Sequence, residues 1–248
     1  MGSEGNIADM LNLNRIKAIS LDLDDTLWPI WPTIARAESV LYDWLALNAP
    51  HTASLYAGPQ ALRAVRDALA QQRPDLAHDM TSLRRESLRL ALNNAGDDPQ
   101  LAEPAFEVFI AERHNVTFYP DALPALELLA ARYPLVSLSN GNAEVSRMVL
   151  APLFVGSVSA FKFGASKPDR RIFHAAAQAA GVQPDQVLHV GDHALQDVLG
   201  ARAAGMQAAW VNREQAAWEH AEKPHVELSD LGELVQLLGG ERAAGSAD

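Results

Sequence analysis

Asp22-Leu23-Asp24-Asp25-Thr26 closes an apolar run over residues 16–21. A strand that ends in three carboxylates and a hydroxyl gathers negative charge where an open α/β sheet presents its strand ends to a ligand, and such a cluster calls for a cation. Taken alone, the stretch reads equally as an acidic turn. Three later segments carry related chemistry. Residues 135–141 form a second apolar run that ends in Ser139 and the turn residues Asn140 and Gly141. Lys167-Pro168-Asp169 sets an ammonium just ahead of a helical pattern, and residues 187–192 form a third apolar run that ends in Asp192, with Asp197 shortly after. A carboxylate attacks an anionic substrate poorly because like charges repel, so an aspartate acting as a nucleophile needs a metal ion and fixed donors around it. Asp24 lies two residues beyond Asp22, the spacing that points two side chains the same way along a strand.

The elements that must position these residues follow from periodicity. Apolar runs at 16–21, 135–139, 187–191 and 207–211 alternate with helix-period segments at 121–132, 143–150, 170–180 and 195–204. That alternation predicts an α/β fold, a doubly wound parallel sheet wrapped by helices. Gly181 and Gly205 stand where helix C-caps belong. From about 31 to 116 the alternation stops and only helical patterns remain: Ile34, Ala37, Glu38, Leu41 and Leu45, then Leu62, Val65 and Leu69, then Met80, Leu83, Ser87 and Leu90. Proline-bearing linkers, Trp28-Pro29 and Trp31-Pro32 on one side and Phe118-Tyr119-Pro120 on the other, flank the segment. The expected organisation is a core over 15–27 and 119–239, an inserted helical domain over 28–118, and flexible tails over 1–14 and 240–248.

The four segments, in this order, resemble the haloacid dehalogenase superfamily of aspartate-nucleophile hydrolases. The resemblance implies a Rossmann-like core with an α-helical cap that closes over the site and selects the substrate. It also implies roles. Asp22 attacks phosphorus and becomes an aspartyl phosphate, and Asp24 protonates the leaving alkoxide and then activates water. Ser139, the backbone N–H groups of Asn140 and Gly141, and Lys167 hold the phosphoryl oxygens. Mg²⁺ binds Asp22, the carbonyl of Asp24 and Asp192. Asp197 supports Lys167 or a metal-bound water, Thr26 anchors the loop, and Asp25 and His193 are structural or solvated. Dehalogenase members of the family expel halide, which needs no proton, and lack an acid at the position of Asp24, so this chain falls on the phosphoryl side. The whole of residues 16–238 looks most like the bacterial phosphatases that act on FMN and on 5-amino-6-(5-phospho-D-ribitylamino)uracil. That likeness rests on residues 21–27, 78–81, 139–142, 166–168, 188–192 and 205–208. A sugar phosphomutase of the same superfamily and a non-catalytic phosphometabolite sensor are the alternatives. Phosphonatase chemistry needs a cap lysine, and residues 28–118 contain none.

In the insertion, Thr81 and Arg84 are candidate substrate contacts, because residues 78–85 are its most polar stretch and open a helix. Trp28 either stacks on a planar ring or packs a hinge. Bulk properties fit a small-molecule enzyme. A net charge of −11 over 248 residues argues against nucleic acid and anionic membranes as partners. No apolar stretch has the length of a membrane span and no secretion signal is evident, so a cytoplasmic location is expected. The absence of cysteine leaves oxygen and histidine as metal ligands. The expected partner is a small phosphate monoester, and the expected assembly a monomer or homodimer.

Overall fold

The structure is a computed structural model that describes residues 11–240. The tail segments 1–10 and 241–248 lie outside the described residues. Asn12, within the segment expected to be a tail, is tied to the core: its N–H donates to the Gln207 side chain at 2.6 Å, and Gln207 Nε2 returns a bond to its carbonyl at 3.1 Å.

In chain order, strand β1 (Ala18–Leu21) leads into five helices, α1 (Ile30–Asn48), α2 (Pro50–Leu55), α3 (Pro59–Gln72), α4 (Met80–Ala95) and α5 (Ala102–Arg113). Then come α6 (Ala122–Ala130), β2 (Leu135–Ser139), β3 (Gly156–Ser159), α7 (Ala160–Phe163), α8 (Arg170–Ala179) and β4 (Val187–Gly191). A π-helical turn (Ala194–Leu199) runs into α9 (Gly200–Ala203), followed by β5 (Gln207–Val211), β6 (Val226–Leu228) and α10 (Leu231–Leu237). The chain divides into a core unit, which holds residues up to Pro29, Phe118–Asn140 and Val145 onward, and a helical unit of Ile30–Thr117 with Gly141–Glu144.

In the core unit all pairings are parallel and the strand order is β3-β2-β1-β4-β5-β6. The chain first builds outward from β1 through β2 to β3, then returns to β1's other side with β4. The order therefore reverses between β1 and β4, the place where sheets of this kind open a crevice at their strand ends. β2, β4 and β5 are buried along their whole length, which is why they read as mainly apolar runs without a polar face. Helix α8 shows how sequence makes the layer. Ile172, Phe173, Ala176 and Ala177 form one buried stripe, the Asp169 carboxylate caps the first turn through the Arg171 N–H, and Gly181 ends it at φ +71°. That stripe packs with Val136, Leu138, Val187, Val198, Ala208 and Trp210 in one core.

The sequence expectation differs from the structure in three places. β3 and β6 went unpredicted: both are edge strands, short and partly exposed, so they lack an apolar run. The helix expected over 143–150 is instead a pair of short 3₁₀ turns, Val145–Arg147 and Ala151–Leu153. Its bonds are of the i to i+3 kind, Met148 to Val145 and Ala151 to Met148, and Pro152 bars an α-helical continuation. The segment over 195–204 begins as a π-helical turn rather than an α-helix.

In the helical unit, α1 packs on α5, and α4 packs on α3 and α5. Ala37, Leu41 and Leu45 of α1 meet Leu88 and Leu92 of α4 and Phe106, Phe109 and Ile110 of α5. Helix α4 is capped at both ends, by the Asp79 carboxylate on the Ser82 N–H (2.8 Å) and by Gly96 at φ +80°. A buried Glu38 lies among the helices. Arg63 Nε donates to it at 2.9 Å, Arg84 Nη2 lies 3.3 Å from it, and Arg66 lies 3.5 Å away.

Candidate active site

Asp22 follows the last residue of β1, and its N–H still bonds to the Val190 carbonyl of β4 at 2.9 Å. Asp192 follows the last residue of β4, so the adjacency of the two strands delivers both carboxylates to the same end of the sheet. Ser139 is the last residue of β2, buried, on the other side of β1.

Lys167 joins these ends. Its Nζ lies 2.5 Å from Asp22 Oδ1 and 2.5 Å from Asp197 Oδ1, with the ammonium almost wholly buried. The Asn140 side chain brackets the backbone of Lys167, accepting from its N–H at 2.7 Å and donating to its carbonyl at 3.0 Å. Asn140 also donates to Gln196 Oε1 at 2.9 Å. Asp197 is held on every side: Oδ1 takes Lys167 and the His189 Nε2 (3.1 Å), and Oδ2 takes the His193 N–H (2.9 Å). Its approach to β4 is so close that a Cβ on Gly191 would lie 2.4 Å from Asp197 Cγ. Only glycine leaves that room.

The turn after β1 is fixed separately. Asp25 has φ +59°, the left-handed region that Asp tolerates better than most residues, and its N–H bonds to the Trp28 carbonyl at 2.7 Å. The Thr26 hydroxyl, fully buried, donates to Asp192 Oδ1 at 3.0 Å and lies 3.4 Å from Asp22 Oδ2. Arg213 donates to the Thr26 carbonyl at 2.9 Å, pairs with Asp121 and stacks 3.8 Å from the Tyr119 ring. The Trp210 indole donates to the Asp192 carbonyl at 2.7 Å. Asp24 Oδ1 accepts from the Trp28 indole at 2.8 Å. Trp28 is wholly buried and meets Phe118 edge to face at 5.6 Å, so it packs against the returning linker and offers no face for stacking on a ring.

The charges do not balance. Asp22, Asp192 and Asp197 each present an oxygen within 4.8 Å of the others, and among the described residues Lys167 is the cation paired with them. Burial, opposed by Lys167 but reinforced by Asp197 and Asp192, raises the Asp22 carboxyl well above its usual range. Burial and the Asp197 charge push Asp192 up to about 7. Burial would raise Asp197 too, but Lys167 and His189 outweigh it and hold that carboxyl below the usual range. Burial would lower Lys167, and Asp197 and Asp22 overcome it and raise the ammonium's pKa. Burial pushes the His189 imidazole down, partly offset by Asp197. A hard divalent cation fits this donor set. Asp197 has both oxygens engaged, so Asp22 and Asp192 are the carboxylates with capacity left for a metal.

The core thus brings together Asp22, Thr26, Lys167, Asp192 and Asp197, with Asn140 bound to Lys167. Asp24 adjoins Asp22 in the turn, and its side chain is engaged by Trp28. Gly141 belongs to the helical unit. So do Thr81, in the first turn of α4, and Arg84, whose guanidinium is buried, bonded to Glu38 and stacked 3.7 Å from Phe109. Burial and the Arg66 charge bring Arg84 down to about 10. Sequence reasoning assigned no role to His189, Trp210 or Arg213 and did not foresee the Trp28 indole bond to Asp24. Their signal was the buried ring N–H or guanidinium that must find a partner, which residue type reveals but sequence does not locate.

Comparison with known proteins agrees with the geometry. A family model described as haloacid dehalogenase-like hydrolase matches residues 16–205. The 5-amino-6-(5-phospho-D-ribitylamino)uracil phosphatase YigB of Escherichia coli (strain K12) is 32% identical over 234 residues, 91% of this chain and 98% of the relative. Among solved structures, the 2-haloacid dehalogenase from Pseudomonas syringae pv. Tomato DC3000 is 39% identical with a TM-score of 0.82, covering 90% of this chain and 98% of that one. The HAD phosphatase from Thermococcus onnurineus is 26% identical with a TM-score of 0.65, covering 92% and 100%. A match of that extent, on a sheet whose strand ends carry these acids and this lysine, means that the chain belongs to the haloacid dehalogenase-like hydrolases.

Proposed function

We propose that this haloacid dehalogenase-like phosphatase hydrolyses small phosphate monoesters with a magnesium ion, the phosphoryl group being carried on Asp22 as an aspartyl phosphate. The observation that supports the reading best is a buried carboxylate cluster with too little positive charge, paired with a further carboxylate, Asp24, beside Asp22. Lys167 holds Asp22 Oδ1, so an Asp22 carboxylate oxygen is oriented to bond to phosphorus as the ester oxygen leaves. Asp24 gives that oxygen a proton. The same carboxylate then takes a proton from the water that attacks the acyl phosphate, which returns Asp22 and releases inorganic phosphate. The Ser139 hydroxyl, the N–H groups of Asn140 and Gly141, and Lys167 hold the phosphoryl oxygens, while Asp197 and Thr26 keep Lys167, Asp22 and Asp192 in place. A magnesium ion held by Asp22, the Asp24 carbonyl and Asp192 would neutralise the cluster and draw charge from the phosphoryl oxygens.

The likeness to a 2-haloacid dehalogenase favours a second reading, carbon–halogen cleavage with Asp22 as nucleophile. Halide departs without a proton, which leaves Asp24 without a task, and an anionic haloacid would meet the same excess of negative charge. The phosphatase reading uses both features. The narrower substrate proposal is FMN or 5-amino-6-(5-phospho-D-ribitylamino)uracil, handled in the cytoplasm by a monomer or homodimer, with Thr81 contributing selectivity from the helical unit; Arg84, expected beside it as a contact, is instead buried against Glu38 and Phe109 and holds the helices together. The substrate proposal draws on the E. coli relative's name and on shared segments.

The test is phosphate release from FMN, the ribitylaminouracil phosphate, sugar phosphates and nucleotides, with Mg²⁺ and with EDTA, beside halide release from a 2-haloacid. Magnesium-dependent phosphate release that Asp22→Asn abolishes, on the order of 10⁴-fold or more, in a chain that still folds is the expected result. Halide release without phosphate release would overturn it.

A further inference from the structure

His189 sits inside β4, fully buried, and takes no part in the chemistry proposed above. Both ring nitrogens are engaged. Nδ1 lies 2.8 Å from the Ser20 hydroxyl, and Nε2 lies 3.1 Å from Asp197 Oδ1. Ser20 stands opposite His189 in the β1–β4 register, so the sheet itself aligns the pair. Phe173 of α8 meets the ring edge to face at 5.1 Å and fixes its plane.

The hydrogens can be assigned by counting acceptors. Asp197 takes the Lys167 ammonium on Oδ1 and the His193 N–H on Oδ2, as an ionised carboxylate does. A carboxylate only accepts, so the ring nitrogen facing it carries a hydrogen. A neutral imidazole has one ring hydrogen, which leaves Nδ1 as an acceptor and makes the Ser20 hydroxyl the donor. The opposite tautomer would aim a lone pair at Asp197.

We propose that Ser20 and His189 are positioning residues for the reaction: Ser20 locks the Nε2–H tautomer, and that N–H holds Asp197 so that Lys167 stays aimed at Asp22. The inference rests on the proposed phosphoryl transfer at Asp22. Asp197 Oδ1 divides its two lone pairs between Lys167 and His189. With the ring N–H gone, Oδ1 is held by the lysine alone, the carboxylate can pivot about its remaining Oδ2 bond to the His193 N–H, and Lys167 follows it away from Asp22. Such outer partners fix the orientation of reactive groups they never replace.

The experiment compares magnesium-dependent hydrolysis of p-nitrophenyl phosphate by the wild type, Asp22→Asn, His189→Leu, His189→Gln and Ser20→Ala, with melting temperatures for each. It adds ¹⁵N NMR of the His189 ring in the wild type and in Ser20→Ala. His189→Leu should lower kcat on the order of 10- to 100-fold, with KM changed far less. His189→Gln carries an amide N–H to the place of Nε2, so it should recover most of that kcat even where its melting temperature matches that of the Leu variant. Ser20→Ala should lose about 5-fold in kcat and mix the two tautomers, whereas the wild type shows hydrogen on Nε2 alone. Full turnover in a folded His189→Leu chain, equal kcat losses in Leu and Gln, or hydrogen on Nδ1 in the wild type would each overturn the inference. If His189→Leu does not fold, Ser20→Ala and the ring NMR decide the matter in the same way. Absent wild-type turnover, or turnover surviving in Asp22→Asn, overturns the reading beneath it, a pattern distinct from an active His189→Leu beside an inactive Asp22→Asn.

Discussion

The Trp28 indole N–H donates to Asp24 Oδ1 at 2.8 Å, and the same ring is packed edge to face on Phe118. The carboxylate proposed as acid and base is therefore aimed by a residue in the outgoing linker, which leans on a residue in the returning one. Trp28→Phe keeps the ring contact and deletes the N–H. Its expected effect is a fall in kcat on the order of 10-fold, the worth of one lost hydrogen bond to a charged group, about 1.5 kcal/mol. Steady-state kinetics beside a thermal melt checks it, since the packing should survive.

Gly191 is where β4 and Asp197 approach most closely. Gly191→Ala sets a methyl group against the Asp197 carboxyl, which must move and draw Lys167 with it. The expected result is about 1–3 kcal/mol of lost stability together with loss of most turnover. Denaturant melts and phosphate-release assays measure the two effects separately.

Stability without a divalent cation should fall as pH rises. The folded-state pKa of Asp192 is raised, from an ordinary 3.8 to about 7, and Asp22 is raised as well. A raised carboxyl binds its proton more tightly when folded, so its contribution is fully present below the unfolded value and is lost as pH climbs through the folded one. The window for Asp192 thus runs from about 3.8 to about 7. Magnesium should reverse the trend, adding about 2.7 kcal/mol at 100 times its dissociation constant and less at the acid end, where protons compete. Thermal melts across that range with and without Mg²⁺, and with EDTA, test both signs.

Glu38 holds Arg63 and Arg84 inside the helical unit. Glu38→Gln leaves the Arg84 guanidinium buried without its counter-charge, and the expected cost is about 3 kcal/mol. Hydrogen exchange should show the loss in α1, α3 and α4, with β1 and β4 protected as before.

The parts of the fold legible in the sequence were those whose physics is local. β1, β2, β4 and β5 are sheathed on both faces, so burial wrote itself as mainly apolar runs, interrupted by Ser20, Ser137, His189 and Gln207. β3 and β6, at the edges, are held by backbone pairing to one neighbour, a force with no side-chain signature. The turns at 145–153 have helical composition, and Pro152 limits a helix only beyond 150, so nothing local marked the 3₁₀ geometry before it. At the candidate site the charged residues announced themselves by type and spacing. Their neutral supports did not: the roles of His189 and Trp210 depend on which strand lies beside which, and that of Trp28 on a tight turn closing back on Asp24.

The strand order also sets when this site can come into being. Asp22 is made early, on a strand whose partner β4 lies far downstream, and its lysine is 145 residues away in the chain. A ribosome therefore releases β1 and the whole helical unit long before the central strand can gain its second neighbour, and closure across such distances is slow. Asp192 and Asp197 follow β4, so Asp22 meets them only with β4 beside β1. The charge conflict therefore exists only in the assembled inner sheet, so a divalent ion that relieves it would stabilise the finished core and no earlier form.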